Sequence, residues 1–310
     1  MSGGIAYNIN SDGKSVTVTY TESFSSSNYS SLQGDVVIPS SVSNGKTYSV
    51  TAIDAWAFYS CKALTGISIP ESVTSIGNGA FSGCDGLSSV NIPSNITSIG
   101  NHMFFGCEAL TTITLPEAIT TIGEAAFNSC SGLTSIRIPN SVTEIGDYTF
   151  YNCTGLTSVT LPESLLTIGN EVFSGCTGLK KVDIQNSVIG RQQFYNCSAL
   201  RKVTIGPDVN SIGYQAFGNC KMLVDIISYP NPANVTAVGA FNGQVPYDYC
   251  VLHVLPEYVE AYKSDSSWKS FNIDEDLAEN TQVNNNGDMN TDGNIDITDV
   301  VKLANIVMGE

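Results

Sequence analysis

Phenylalanine returns at a fixed interval along most of the chain. Phe58, Phe81, Phe104, Phe127, Phe150 and Phe173 are each 23 residues apart, and Phe194, Phe217 and Phe241 follow at spacings of 21, 23 and 24. Three residues after each of the first eight stands a cysteine (61, 84, 107, 130, 153, 176, 197, 220), and three further on a leucine (64, 87, 110, 133, 156, 179, 200, 223). Apolar residues at i, i+3 and i+6 predict one stripe of a short helical turn. Beyond the leucine the pattern becomes an alternation, as in Leu156-Thr157-Ser158-Val159-Thr160-Leu161-Pro162. Leu, Val and Leu then share one face and the hydroxyls the other, which predicts a short strand ended by proline. A second apolar pair precedes the glycine that opens the next turn: Val73 with Ile76-Gly77, Ile96 with Ile99-Gly100, Val142 with Ile145-Gly146.

A unit of this size cannot enclose a core, but stacked units can, each touching only its neighbours. The sequence therefore predicts a curved solenoid with a parallel β-sheet and short helical or 3-10 turns, its repeat about 23 residues. The ends break the pattern as caps should. Val16, Val18 and Tyr20 alternate after the turn Asn10-Ser11-Asp12-Gly13, which reads as an N-terminal hairpin. Val254-Leu255-Pro256 restates the strand ending, and residues 257–263 read as a short helix before Trp268 and Phe271. The expected division is an N-terminal cap over 1–35, the solenoid over 36–249, a C-terminal cap over 250–273, an acidic Asn-rich linker over 274–287 and a loop-helix segment over 288–310.

The repeat resembles the leucine-rich repeats of the BspA type, whose signature is A-F-x-x-C-x-x-L-x-x-[VI]-x-[IL]-P. The segment Ala80-Phe81-Ser82-Gly83-Cys84-Asp85-Gly86-Leu87-Ser88-Ser89-Val90-Asn91-Ile92-Pro93 matches it throughout, and the likeness covers roughly residues 36–241. That resemblance implies a surface protein of anaerobic bacteria or mucosal parasites that binds host extracellular proteins.

Eight cysteines at a regular interval could be a metal array, a set of disulfides or a column of buried thiols. No close C-x-x-C pair of the zinc-site kind is present. Each Cys lies midway along an apolar stripe, where a thiol behaves as a small hydrophobe. Buried free thiols are the expectation, although neighbouring coils about 5 Å apart would leave disulfides geometrically open. Cys250 stands outside the column, in the C-terminal cap.

Charge adds two features. The formal net charge is −16, and residues 274–310 hold nine acids against one lysine. So few bases leave no nucleic-acid footprint, and no apolar run is long enough to span a bilayer. Within the acidic segment, residues 288–299 read Asp-Met-Asn-Thr-Asp-Gly-Asn-Ile-Asp-Ile-Thr-Asp. Oxygen side chains at positions 1, 3, 5, 9 and 12, with glycine at 6, follow the calcium-loop spacing, in which several oxygens converge on a hard cation. Aspartate at position 12, followed by the apolar helix pattern Val300-Val301-Lys302-Leu303, resembles one repeat of a dockerin module. By that resemblance Asp288, Asn290, Asp292, Asp296 and Asp299 are side-chain ligands of calcium, Asn294 contributes its carbonyl, and a cohesin-like partner is implied. Calcium binding of this kind belongs outside the cell. Met1 to Tyr7 lacks the charged-then-apolar pattern of a signal peptide, so the expectation is an exported chain in its mature form.

Catalysis has little to stand on. His102 and His253 are the only histidines, they fall in different units, and neither has a Ser or Cys nucleophile pattern beside it. The solvent face of the strands is more informative. Its columns run Ser68, Asn91, Thr114, Arg137, Thr160, Asp183, Thr204 and Gly66, Ser89, Thr112, Ser135, Ser158, Lys181, Lys202. Against this hydroxyl field Lys180 stacks on Arg201 and Lys181 on Lys202, and residues 180–221 carry six bases against two acids. Like charges on adjacent strands repel unless an anionic partner neutralises them. These four cations are the candidate site for a host matrix or plasma protein or an acidic glycan. The other reading is a merely solvated patch. The residue after each Phe alternates between aromatic and small: Tyr59, Ser82, Phe105, Asn128, Tyr151, Ser174, Tyr195, Gly218. Such a column is either a contact stripe for carbohydrate or protein, or a packing device in which each ring covers the small residue of the next coil. The expected function is that of a non-enzymatic adhesion protein; the alternative is a polysaccharide-binding component docked to a scaffold through its dockerin-like end.

Overall fold

The computed structural model describes residues 5–19, 32–162 and 164–277. The chain winds as a solenoid whose strands pair in parallel, coil upon coil, in the register that the repeat sets. In one sheet Ser158–Thr160, Lys181–Ile184, Lys202–Ile205, Asp225–Ser228, Val251–Val254 and Asn272–Asp274 are consecutive neighbours. A second sheet runs beside it through the Ile-Gly positions, with Ile99, Ile122, Ile145 and Ile168 in line.

The glycines that follow those isoleucines are required by close approach. A β-carbon on Gly146 would lie 2.6 Å from the Glu124 backbone nitrogen, so no side chain fits between the coils there.

The run carrying Phe, Cys and Leu differs from the helical turn its spacing predicts. It is a chain of tight turns in which amides bond alternately within and between coils. Met103, Phe105 and Cys107 donate N–H to the carbonyls of Gly100, His102 and Phe104 in their own coil. His102, Phe104 and Gly106 donate instead to Glu124, Ala126 and Asn128 of the next coil, each at 2.8 Å. A helix would spend every amide within its own segment; here half of them tie the solenoid along its axis. The alternation needs the backbone to reverse its sense twice per coil, so the residues two before and two after each Phe are left-handed, as in His102 (φ 56°) and Gly106 (φ 70°).

Inside, the nine phenylalanines form one continuous stack. Ring centroids are 5.3–5.5 Å apart and interplanar angles are 16° or less from Phe58 through Phe241. The cysteines run alongside as buried free thiols. From Cys84 through Cys220 their Sγ atoms donate to the phenylalanine carbonyl of the preceding coil, as from Cys153 to Phe127 at 3.1 Å and from Cys176 to Phe150 at 3.2 Å. The aromatic stack would end on bare ring face, but Trp268 and Phe271 close it edge-on against Phe241, at 5.1 and 4.9 Å. They are carried there by a 3-10 turn, Pro256–Tyr258, and a helix, Val259–Ser264. Tyr262 anchors that helix. Its hydroxyl donates to the Pro230 carbonyl at 2.7 Å, which leaves Ser228 as the donor in their own 2.7 Å contact.

At the other end Ala6–Ile9 and Ser15–Thr19 pair antiparallel, and the second strand joins Thr47–Ile53 in parallel. Asp12 shapes the hairpin turn by accepting the backbone N–H of Lys14 and Ser15 at 2.8 and 2.9 Å. Those bonds hold its carboxyl below the usual carboxylate range.

The coil from Phe173 to Phe194 is two residues short of the usual spacing. Asn186 takes the place that Val142 and Leu165 hold in the preceding coils, and Gln193 the place of Val172. Both are buried, and Asn186 Oδ1 and Gln193 Nε2 have no hydrogen-bond partner.

Candidate binding surfaces

The strand face brings the four expected cations together. Lys181 is registered directly on Lys202, and the Arg201 amide bonds the Lys180 carbonyl at 2.9 Å, so the two pairs lie side by side on adjacent coils. Lys180, Lys181 and Arg201 are exposed and Lys202 half-buried. Among the described residues no carboxylate comes within ion-pair distance of any of them, whereas Lys62 meets Asp85 at 2.8 Å and Arg137 meets Glu117. Lys202 does face Asp225 in register on its other side. The hydroxyl field preceding the cations is a groove of about 670 Å³ lined by Ser135, Arg137, Asn140, Ser158, Thr160 and Gln185.

Beyond the cations the face turns acidic. The column Thr160, Asp183, Thr204 continues through Ile227 and His253 to Asp274. His253 Nδ1 lies 2.8 Å from Asp276 and its Nε2 3.6 Å from Asp225. His253, Asp274 and Asp276 hold ligand atoms within 4.8 Å of one another, the one group among the described residues close enough to share a metal ion. The strand rule that pairs Lys181 with Lys202 also pairs His253 with Asp274, so that part of the cluster has a signal in the sequence, and Asp276 has none.

The turn face carries the aromatic column. Tyr195 lies over Gly218, where a β-carbon would sit 2.9 Å from the ring, the packing use of a small neighbour. Tyr59 and Phe105 are different: 40% and 37% of their surface stays exposed. Each is paired with a ring two residues before its phenylalanine. Trp56 meets Tyr59 at 5.6 Å, His102 meets Phe105 at 6.0 Å and Tyr148 meets Tyr151 at 5.9 Å. Trp56 also lies across Gly79 and reaches His102, with centroids 6.3 Å apart. These first members are not part of the alternation after Phe, but carry a sequence signal of their own, since Trp56, His102 and Tyr148 are two periods apart. The Glu171 carboxylate beside Tyr148 pushes its phenol up.

The thiol column has no reactive member. Burial raises Cys61 to about 11 and Cys176, Cys220 and Cys250 to about 12. A thiolate is the nucleophile and metal ligand, so these groups are inert as they stand. The expected calcium ligands, Asp288, Asn290, Asp292, Asn294, Asp296 and Asp299, lie outside the described residues.

Known proteins match this architecture. A leucine-rich repeat protein of T. pallidum, solved by crystallography, is 28% identical, with 72% of this chain and 89% of that one covered at a TM-score of 0.55. A leucine-rich repeat protein from Bacteroides ovatus is 23% identical, covering 88% and 98% at a TM-score of 0.39. A leucine rich cell surface protein from Faecalibacterium prausnitzii is 19% identical, covering 90% and 98% at 0.35. No curated protein matches the sequence. The family model for the BspA type leucine rich repeat region matches six copies across residues 51–153 and 121–244. With that match over more than half its length, the chain belongs to the BspA-type leucine-rich-repeat family.

Proposed function

We propose that this chain is a non-enzymatic, cell-surface or secreted binding protein that engages an acidic segment of a host extracellular protein through the strand face of its solenoid. The observation that carries this reading is the cluster of Lys180, Lys181, Arg201 and Lys202, in which Lys181 is in register on Lys202, Arg201 bonds the Lys180 carbonyl, and no carboxylate among the described residues, Asp225 across from Lys202 included, comes within ion-pair distance. Such an arrangement is electrostatically unfavourable in the free protein and is relieved by an anionic partner. Membership of a surface-protein family agrees with it.

Binding of the full chain to immobilised fibronectin and fibrinogen should weaken as salt is raised, because exposed charges are screened. Lys181→Glu with Lys202→Glu should lower the association rate by about tenfold at low salt. Binding that ignores both salt and the double substitution sinks the proposal.

The loop over 288–299 is proposed to take one calcium ion, since its oxygen spacing suits a hard cation. Calorimetric titration of the chain should then give a single site in roughly the 10⁻⁷ to 10⁻³ M range of sensor and extracellular loops. Asp292→Ala with Asp299→Ala should abolish it, and a heat signal unchanged by that pair would reject the assignment.

A further inference from the structure

The aromatic pairs of the turn face fall on every second coil. Trp56 with Tyr59, His102 with Phe105 and Tyr148 with Tyr151 alternate with coils that carry Gly79 and Ser82, or Ala125 and Asn128, at the same two positions. The coil step is given by the 5.4–5.5 Å between the phenylalanine rings beneath, so the backbone positions that carry the pairs recur at twice that distance, while the Trp56 ring leans across Gly79 to within 6.3 Å of the His102 ring and joins the first two pairs into one strip.

The fold does not ask for rings here. Trp56, His102 and Tyr148 stand in left-handed backbone, at φ 61°, 56° and 57°, where Gly79 and Gly239 also occur. Any side chain at such a site is strained relative to glycine. Ala125, Glu171 and Gln192 occupy the equivalent place in other coils, so packing does not select an aromatic. The strain is therefore common to the position, and it is the partly exposed rings themselves that point to use.

We propose that the turn face is a platform for a neutral, extended β-linked glycan, its sugars lying on these aromatic pairs. A pyranose offers a flat C–H face suited to an aromatic ring and a rim of hydroxyls. In an extended β-1,4-linked chain successive sugars are turned over, so the same face returns at every second residue, a length comparable with two coil steps. Asn101 and Asn128 offer side-chain N–H donors, since each Oδ1 already accepts, from the Glu124 amide and the Ser129 hydroxyl. Glu171 and Asp147 beside Tyr148 outweigh Arg191 there and repel an anionic chain, which makes the ligand neutral and separates this face from the cationic strand face.

The test is titration of the full chain with cellohexaose, xylohexaose and mannohexaose, and with their shorter homologues, by calorimetry and tryptophan fluorescence. Trp56 is half-buried, while Trp268 is sealed under the cap, so a ligand-dependent spectral change reads Trp56. Trp56→Gly and Tyr148→Gly place at each site the residue that coil two already carries, so folding is preserved. Saturable binding that tightens with chain length, and that each variant weakens by about tenfold, equivalent to about 1.4 kcal/mol, is the expected result. The Lys181→Glu and Lys202→Glu pair should leave glycan binding unchanged. No saturable binding to any of the three hexaoses, equal binding by the glycine variants, or a preference for heparin overturns the proposal.

Discussion

Phe150→Ala is expected to destabilise the protein by about 3–5 kcal/mol, the cost of emptying a buried phenylalanine site. The ring is fully buried and lies between Phe127 and Phe173, at 5.4 and 5.3 Å with interplanar angles of 2° and 3°. Its removal breaks two stacked contacts at once, each worth about 0.5–1.5 kcal/mol beyond area burial. The lesion cannot be shared widely. In a solenoid each coil touches only its neighbours, so the stack is divided into two shorter ones. Amide exchange should therefore accelerate first in residues 127–173, with the ends less affected, and urea denaturation should lose its single sharp transition. Phe150→Leu, which keeps much of the volume, should cost less. A loss below about 1 kcal/mol would show that the turns' hydrogen bonds, and not the ring stack, hold the centre together.

That ring stack was legible in the sequence because parallel, in-register stacking converts a sequence period directly into spatial contact. The same rule placed Lys181 on Lys202 and set Phe150 between Phe127 and Phe173. What it could not supply was backbone conformation. Residues at i, i+3 and i+6 share a side both in a helix and in a chain of tight turns, so the Phe-Cys-Leu spacing does not distinguish them. Glycine would have marked the left-handed positions, but Trp56, Glu171, Gln192 and Gln215 occupy them as well. The shortened coil shows a similar limit. Its spacing of 21 is plain, yet the burial of Asn186 and Gln193 in core positions, each with an amide atom left unpaired, belongs to the folded chain alone. The His253–Asp276 contact was out of reach for another reason: strand register pairs His253 with Asp274, and Asp276 lies two residues past that last strand, where register no longer fixes neighbours.

The thiol column predicts a steep loss of stability in alkali. In the unfolded chain a cysteine ionises near 9, whereas burial holds Cys61 near 11 and Cys176, Cys220 and Cys250 near 12, with Cys84, Cys107, Cys130, Cys153 and Cys197 raised as well. Below pH 9 both states keep their protons and nothing is lost. Between about 9 and 12 the unfolded chain releases protons that the folded chain retains, so unfolding becomes more favourable as pH rises. Each thiol contributes about 1.4 kcal/mol per pH unit in that window. The chain has nine cysteines, so together they amount to something on the order of 10 kcal/mol per pH unit. A protein with an ordinary stability of about 5–15 kcal/mol should therefore unfold within roughly one to two units above the thiol value of the unfolded chain. Urea midpoints followed from about pH 8 to about pH 11 should fall sharply, while iodoacetamide should leave the cysteines unmodified until unfolding begins. Cys153→Ala with Cys176→Ala, which removes two neighbours from the column, should make the fall shallower by about 3 kcal/mol per pH unit. A midpoint that stays level through pH 10, or thiols that alkylate while the sheet is intact, would mean that solvent reaches the column and that the coils are less tightly closed than their geometry requires.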